Sequence, residues 1–161
     1  MKKGVGEMDH IFEASSAQIN EVVALLRENW EELQQRPLAK SEELENSYWE
    51  AVHRNGRIFF YRSENGSIAA IISLSKKETL ISIDLFYVTP QFRKQGIGEK
   101  MVRFAERAAA NWSGEHINIM FSGREELDRI FPMFQSLGYI FHCPINQKGN
   151  VLLEKKIQTR E

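Results

Sequence analysis

Phe86-Tyr87-Val88-Thr89-Pro90-Gln91-Phe92-Arg93-Lys94-Gln95-Gly96-Ile97-Gly98 is the stretch on which the reading of this chain turns. It sets an apolar strand end, a proline, two cations and two glycines directly before a helical pattern. A helix start leaves backbone N–H groups without intrahelical partners and carries about half a positive charge. Gly96 and Gly98 have no Cβ, so that backbone can approach a ligand closely. With Arg93 and Lys94 adding full charges, the segment reads as a cradle for a pyrophosphate. A tight β-to-α turn with purely geometric glycines is the rival reading. Two other phosphate motifs fail. No G-x-x-x-x-G-K-[ST] string exists, and Gly96-Ile97-Gly98-Glu99-Lys100-Met101 puts methionine where a dinucleotide fingerprint needs a third Gly or Ala.

Upstream of this stretch, Leu80 to Val88 reads as a strand, with Ile81, Ile83, Leu85 and Tyr87 on one parity and Pro90 as its stop. Before it, Arg57–Arg62 and Ser67–Leu74 flank Glu64-Asn65-Gly66, a hairpin signal. Ile11–Ala14 predicts a short opening strand. Ser15 and Gln18 have capping-box spacing ahead of Ile19, Val22, Val23, Leu26, Trp30 and Leu33, an amphipathic helix closed by Pro37. A second helix is expected from Ser41 to about Arg54. Downstream, a helix from Gly98 to Asn111 would bury Met101, Phe104, Ala105 and Ala108. Strand His116–Phe121, a helix near Glu125–Leu137, and strands at Tyr139–Cys143 and Val151–Ile157 complete the order β-α-α-β-β-β-α-β-α-β-β. Pro132 inside the last helix predicts a break or kink. The class is α/β, a mixed sheet with helices on both faces.

The chain has 161 residues, 42% hydrophobic and 27% charged, which suits one globular domain over 1–161. It has one cysteine, Cys143, so a disulfide scaffold is excluded. No apolar run approaches the roughly 20 residues of a membrane span. Met1 to Gly6 is followed by Glu7 and Asp9, with no secretory h-region, and a cytoplasmic setting is expected. The net charge is −1. Acidic side chains outnumber basic ones over residues 1–56, and the balance reverses over 90–107. A small basic segment in a neutral chain points to a local anion site and away from a nucleic-acid surface.

Arg93-Lys94-Gln95-Gly96-Ile97-Gly98 matches every fixed position of the Arg/Gln-x-x-Gly-x-Gly/Ala signature of the GNAT (GCN5-related N-acetyltransferase) superfamily. Leu85 to Pro90 resembles that family's fourth strand, and Phe134-Gln135-Ser136-Leu137-Gly138-Tyr139 resembles its late helix-to-strand segment. The element order agrees from about Ile11 to Ile157. The resemblance implies the GNAT fold, a mostly antiparallel mixed sheet of six to seven strands. It also implies acetyl-CoA as co-substrate. The pyrophosphate would lie on the backbone N–H groups of Arg93, Lys94, Gln95, Gly96, Ile97 and Gly98. The pantetheine arm would pair with the backbone of Phe86 and Val88, and the Phe86 N–H would stabilise the oxyanion of acyl transfer. The acceptor implied is a primary amine of a small molecule or a peptide, attacking directly in a ternary complex, and the assembly suggested is a homodimer. A GNAT-like domain that binds acyl-CoA without turnover is the alternative.

Proton transfer needs further residues. Asp84, an ionisable residue in an apolar strand with Ser82 on the same parity, is the candidate base; its rival reading is a solvent-facing aspartate. Where many family members carry a tyrosine three residues before the Leu-Gly pair, this chain has Phe134, which has no proton to give. Tyr139 reads as a core aromatic. A thiol is acidic enough to leave as thiolate or take a proton from water. His10, His53, His116 and His142 are scattered and make no zinc spacing with one cysteine, so no metal is expected. Neighbouring strand residues His142 and Cys143 point to opposite faces. Trp30, Trp49 and Trp112 read as core or groove lining. Glu28, Glu31, Glu32, Glu42, Glu43 and Glu45 are read either as a solvated face or as a border that favours a cationic acceptor.

Overall fold

The computed structural model describes residues 10–29, 46–122, 124–144 and 150–157. The strands are β1 (Ile11–Glu13), β2 (Gly56–Arg62), β3 (Ile68–Lys77), β4 (Leu80–Val88), β5 (His116–Ser122), β6 (Ile140–Pro144) and β7 (Asn150–Lys156). The helices are α1 (Ile19–Glu28), α2 (Asn46–Asn55), α3 (Ile97–Asn111) and α4 (Arg124–Ser136). The seven strands make a mixed sheet in the order β1-β2-β3-β4-β5-β7-β6. Element order and type agree with the sequence reading. Trp30, Leu33, Pro37 and the first residues of the expected second helix lie outside the described residues.

The chain divides into two compact units, one built on residues up to Leu74 with Leu85–Ala105, the other on Ser75–Asp84 with residues from Glu106 onward. In the first, β1 pairs antiparallel with β2, Phe12 opposite Phe60. The expected cap forms: the Gln18 side chain accepts the Ser15 N–H at 2.9 Å. It opens a short 3-10 turn, Ser16–Gln18, from which α1 continues. The apolar face of α1 (Ile19, Val22, Val23, Leu26) then packs with Trp49, Ile58, Phe60, Ile68, Ile71 and Tyr87. Strand alternation sends Phe59 to the other face of β2. There its ring meets Phe104 of α3 edge-on at 5.0 Å. Helices therefore cover both faces of this part of the sheet. Truncating a fully buried contact such as Leu26 to alanine costs about 2–5 kcal/mol.

The Asn-Gly hairpin is built as its residues predict. Gly66 has φ +93°. Its carbonyl accepts from the Arg62 guanidinium at 2.6 Å, and the Asn65 side chain accepts the Ser67 N–H at 3.0 Å.

In the second unit β5 pairs antiparallel with β7 over seven positions, His116 opposite Lys156 through Ser122 opposite Asn150. Four positions of β4, Leu80–Ile83, run parallel to His116–Ile119 of β5. Ring contacts of Phe134 with Phe121 (5.9 Å) and Tyr139 (4.9 Å) seat α4 on this layer.

Four details differ from expectation. Helix α4 runs through Pro132 as one element, although Pro132 has no N–H to close its turn. Val102 and Ala109 are buried on α3 while Phe104 is half-buried, so the apolar face is rotated and wider than read. Trp112 is half-buried, with the Lys76 ammonium 5.9 Å from its ring. Alternation on β4 breaks after Ile83: Leu85 is half-buried, and the neighbours Phe86 and Tyr87 are both buried, so both strand faces are covered there.

Candidate active site

The loop after β4 is pinned at each step by its own residues. Thr89 is buried and commits both its N–H (2.9 Å) and its hydroxyl (3.3 Å) to the Ala69 carbonyl. Pro90, suited to the first position of a helical turn, opens a 3-10 turn over Pro90–Phe92. The Phe92 N–H donates to Thr89 at 3.0 Å and the Arg93 N–H to Pro90 at 3.3 Å. The Arg93 N–H is thus already engaged within the turn. Lys94 then adopts φ +63° and Gly96 φ +81°, reversing the chain. The Gly96 carbonyl accepts the Lys100 N–H at 3.1 Å, which makes Gly96 the residue that opens α3. Buried Ile97 anchors that first turn, and Gly98 follows half-buried.

A Cβ placed on Gly96 would meet nothing within 4 Å, so the space above the opening turn of α3 is open. First-turn N–H groups and the helix dipole make that space attractive to an anion. Lys94 is exposed beside it. The residues present therefore fit a phosphate-bearing group. Two side chains of the motif point elsewhere. Arg93 turns inward, its Nε–H donating to the Val88 carbonyl at 2.9 Å and its guanidinium 5.6 Å from the buried Tyr87 ring. Gln95 donates to the Gln91 carbonyl at 3.2 Å.

Along β4, the Phe86 side chain is buried and Val88 half-buried, so any role of these residues toward a ligand falls to the backbone. Asp84 lies two residues before Phe86 and its side chain reaches solvent. The protein packed around that side chain still desolvates the carboxyl and raises its pKa above the ordinary aspartate value, while a hydrogen bond with Ser75 works in the opposite direction. Ser75 was not singled out by the sequence reading. The tight Glu78-Thr79 connection, with Glu78 at φ +58°, was the signal available, because a short loop sets hairpin register.

Phe134 and Tyr139 are core residues, 0% and 1% exposed. Burial, then the neighbouring Glu106, pushes the Tyr139 hydroxyl far above its ordinary value, so it keeps its proton. Glu106 in turn pairs with Lys155 at 3.0 Å.

A cavity of about 440 Å³ opens on the hairpin side of the loop, lined by His10, Tyr61, Asn65, Phe92, Gln95 and Ile97. Three of its polar side chains are engaged with backbone: His10 with the Arg62 carbonyl at 3.2 Å, Asn65 with the Ser67 N–H at 3.0 Å and Gln95 with the Gln91 carbonyl at 3.2 Å, while exposed Glu64 also lines it. Among the described residues, three or more His, Cys, Asp or Glu side chains nowhere gather as metal ligands, and no helix is long and apolar enough to cross a membrane. The His142 and Cys143 side chains, and Glu31, Glu32, Glu42, Glu43 and Glu45, lie outside the described residues.

Comparison with known proteins places this geometry. Residues 19–139 match the family model of the acetyltransferase (GNAT) family. No curated protein is a match. Among solved structures, the PaiA N-acetyltransferase of Thermoplasma acidophilum in complex with coenzyme A superposes with a TM-score of 0.75 at 12% identity, covering 91% of this chain and 97% of that one. A GNAT-family acetyltransferase of Staphylococcus aureus Mu50 gives 0.73 at 11% identity, covering 92% and 98%. An aminoglycoside 6'-acetyltransferase type Ii gives 0.71 at 18% identity, covering 94% and 99%. At these identities the likeness is one of fold.

Proposed function

Because the chain belongs to the acetyltransferase (GNAT) family, we propose that it is an N-acetyltransferase that moves an acetyl group from acetyl-CoA to a primary amine of a small molecule or peptide. A single domain over 1–161, working in the cytoplasm, carries the reaction on this reading. The observation that supports it most directly is the loop: Gly96 at φ +81°, with open space above it, at the start of α3 and eight residues after Val88. Acetyl-CoA supplies the acyl group already activated as a thioester.

The chain's own residues bind, orient and move protons. Backbone N–H groups from Lys94 to Gly98, with the Lys94 ammonium, hold the pyrophosphate; the Arg93 N–H, engaged with Pro90, contributes less than the motif alone implied. The backbone of Phe86 and Val88 aligns the pantetheine arm. The Phe86 N–H donates to the acyl carbonyl oxygen as charge grows there. Asp84, with its raised pKa and its Ser75 partner, removes the proton of an ammonium acceptor. Phe134 supplies no acid, and the thiolate leaves unprotonated or takes its proton from water. Positioning of the two substrates provides the rest of the acceleration.

Thermal unfolding with acetyl-CoA, with adenosine diphosphate and without ligand tests the first half of this reading. Acetyl-CoA at about 100 times its dissociation constant should stabilise by about 2.7 kcal/mol, a rise in Tm of roughly 5–10 °C. No shift at millimolar ligand would remove the cofactor assignment. Coenzyme A release with a panel of primary amines tests the second half; binding without release would leave a domain that holds acyl-CoA without turnover.

A further inference from the structure

The reaction proposed above leaves the cavity on the hairpin side of the loop unused. Its lining lies wholly within the first unit. One part comes from the sheet edge: His10 just before β1, Tyr61 on β2 and Glu64 in the hairpin. The other comes from the cofactor loop and the start of α3, with Phe92, Gln95 and Ile97. At about 440 Å³ the cavity falls within the roughly 300–1,000 Å³ of small-molecule sites. The His10 and Tyr61 rings stack at 5.3 Å and 21°, and Phe92 and Ile97 add further apolar surface.

The hydrogen bonds already made by this lining decide what it has left to offer. The Arg62 carbonyl only accepts, so His10 donates to it from Nδ1 at 3.2 Å. In the neutral ring Nε2 then carries the lone pair, and it has no partner among the described residues. In the same way the Gln91 carbonyl takes the Gln95 side-chain N–H at 3.2 Å, which leaves the Gln95 Oε1 open as an acceptor. Glu64 adds an exposed carboxylate that pairs with no described cation. Against these three acceptors, only Asn65 is left with donors alone, its Oδ1 being taken by the Ser67 N–H and the Ser63 hydroxyl. The Tyr61 hydroxyl serves either way.

We propose that this cavity is a second ligand site, beside the cofactor cradle, and that it takes a small organic cation with a planar apolar body, such as an amidine. The N–H donors of such a ligand match the carboxylate, Nε2 and Oε1, and its charge is attracted by the aromatic rings. The first turn of α3 and the exposed Lys94 ammonium oppose a cation in the free protein. A pyrophosphate over that turn would neutralise this field, so the two ligands should strengthen each other, and by linkage equally. The coupling rests on the cofactor reading above; the site itself does not.

Titration of the ligand-free full chain with benzamidine, followed by NMR, tests the site, with benzamide as the uncharged isostere and benzoate as the anionic one. Benzamidine is expected to bind with a Kd of about 1 mM and to shift the side-chain amide signals of Asn65 and Gln95 and the methyl signals of Ile97. Benzamide and benzoate should bind at least about tenfold more weakly. Glu64 is exposed in the hairpin, so its variants should keep the parent's Tm. Glu64→Gln should weaken benzamidine about fivefold, and Glu64→Lys more, with the parent's affinity falling as salt is raised. No binding at about 20 mM benzamidine overturns the proposal, as does equal affinity for benzamide or unchanged affinity in Glu64→Lys. Binding that is lost in Asp84→Asn but kept in Glu64→Lys puts the probe at the candidate base and also overturns it. Coenzyme A titrated with and without saturating benzamidine reads the coupling, expected as about fivefold tighter binding. Equal affinity would overturn the coupling. A parent that binds benzamidine but not coenzyme A would count against the cofactor reading alone and leave the site standing.

Discussion

Gly96 is the residue at which conformation and function can be separated by substitution. Its φ of +81° costs an L-residue about 1–2 kcal/mol, while its empty surroundings mean an added methyl clashes with nothing in the free protein. Gly96→Ala should therefore lower Tm by roughly 2–8 °C. If the pyrophosphate lies over this backbone, acetyl-CoA affinity should fall beyond what the stability loss predicts; unchanged affinity in calorimetry would move the ligand away from the glycine. Asp84 is the residue whose ionisation should be visible. Desolvation holds its native pKa above 3.8, with the Ser75 hydrogen bond opposing. A native carboxyl with a raised pKa binds more protons than the unfolded chain, so stability falls as pH rises from about the unfolded value to the native one. Glu13 and Glu21, lowered by hydrogen bonds to Arg57 and Arg62, act oppositely: their contribution is present above 4.5 and lost as pH falls through their native values. Asp84→Asn should remove only the falling component from the stability profile. In the rate profile it should also erase the acid limb, which lies above the ordinary aspartate range, and lower kcat about 10²–10⁴-fold. A limb that survives in Asp84→Asn assigns the base elsewhere.

Elements with local punctuation were legible in the sequence; the contacts that join them were not. Strand β4 occupies Leu80–Val88 in both the reading and the structure, because Pro90 and a charged turn mark its ends. The hairpin at Asn65-Gly66 and the cap at Ser15 carry equally local signals. By contrast, Arg93 reads as a charge in sequence, and nothing local reveals that its side chain points inward to Val88. Phe134 is a second case. The sequence reveals a missing hydroxyl in α4, while the structure shows a ring closed in by Phe121 and Tyr139. Phe134→Tyr should therefore force a hydroxyl into a packed, fully buried site and destabilise by about 1–3 kcal/mol without raising the transferase rate. A faster enzyme of unchanged Tm would show that this helix face does reach the reacting groups. Within the same helix, Pro132 occupies an exposed interior position where a proline forfeits a turn hydrogen bond. Pro132→Ala should raise stability by about 2–2.5 kcal/mol, the helix gain of about 3 kcal/mol reduced by the freer unfolded chain. A fall in Tm would mean that packing of α4 depends on the proline ring itself.

At the scale of the whole molecule, the order of strands departs most from the order of the chain. Local patterns locate β5, β6 and β7 but do not say which pairs with which, since a strand's alternation reports its buried face and not its neighbour. In the structure the last strand is inserted between its two predecessors, giving β5-β7-β6. Terminal segments are commonly dispensable because few contacts hold them. Here the reverse should hold. Strand β7 pairs with β5 at seven positions, against four for β4 on the other edge, and supplies the partners of β6, and Leu153 is 0% exposed within it. A chain ending at Pro144 would leave β6 without its ladder and expose Ile117, Ile119 and Phe121 of β5, side chains now 5% exposed or less. Fully burying each such side chain is worth about 1.5–3 kcal/mol, and marginal domains retain only about 5–15 kcal/mol in total. The truncated chain should show no cooperative thermal transition by circular dichroism, whereas Leu153→Ala in the full chain should keep one and lose about 2–5 kcal/mol. A cooperative melt in the truncated chain near the Tm of the parent would mean that the ladder with β4 suffices for β5 and that β6 is held by something other than β7.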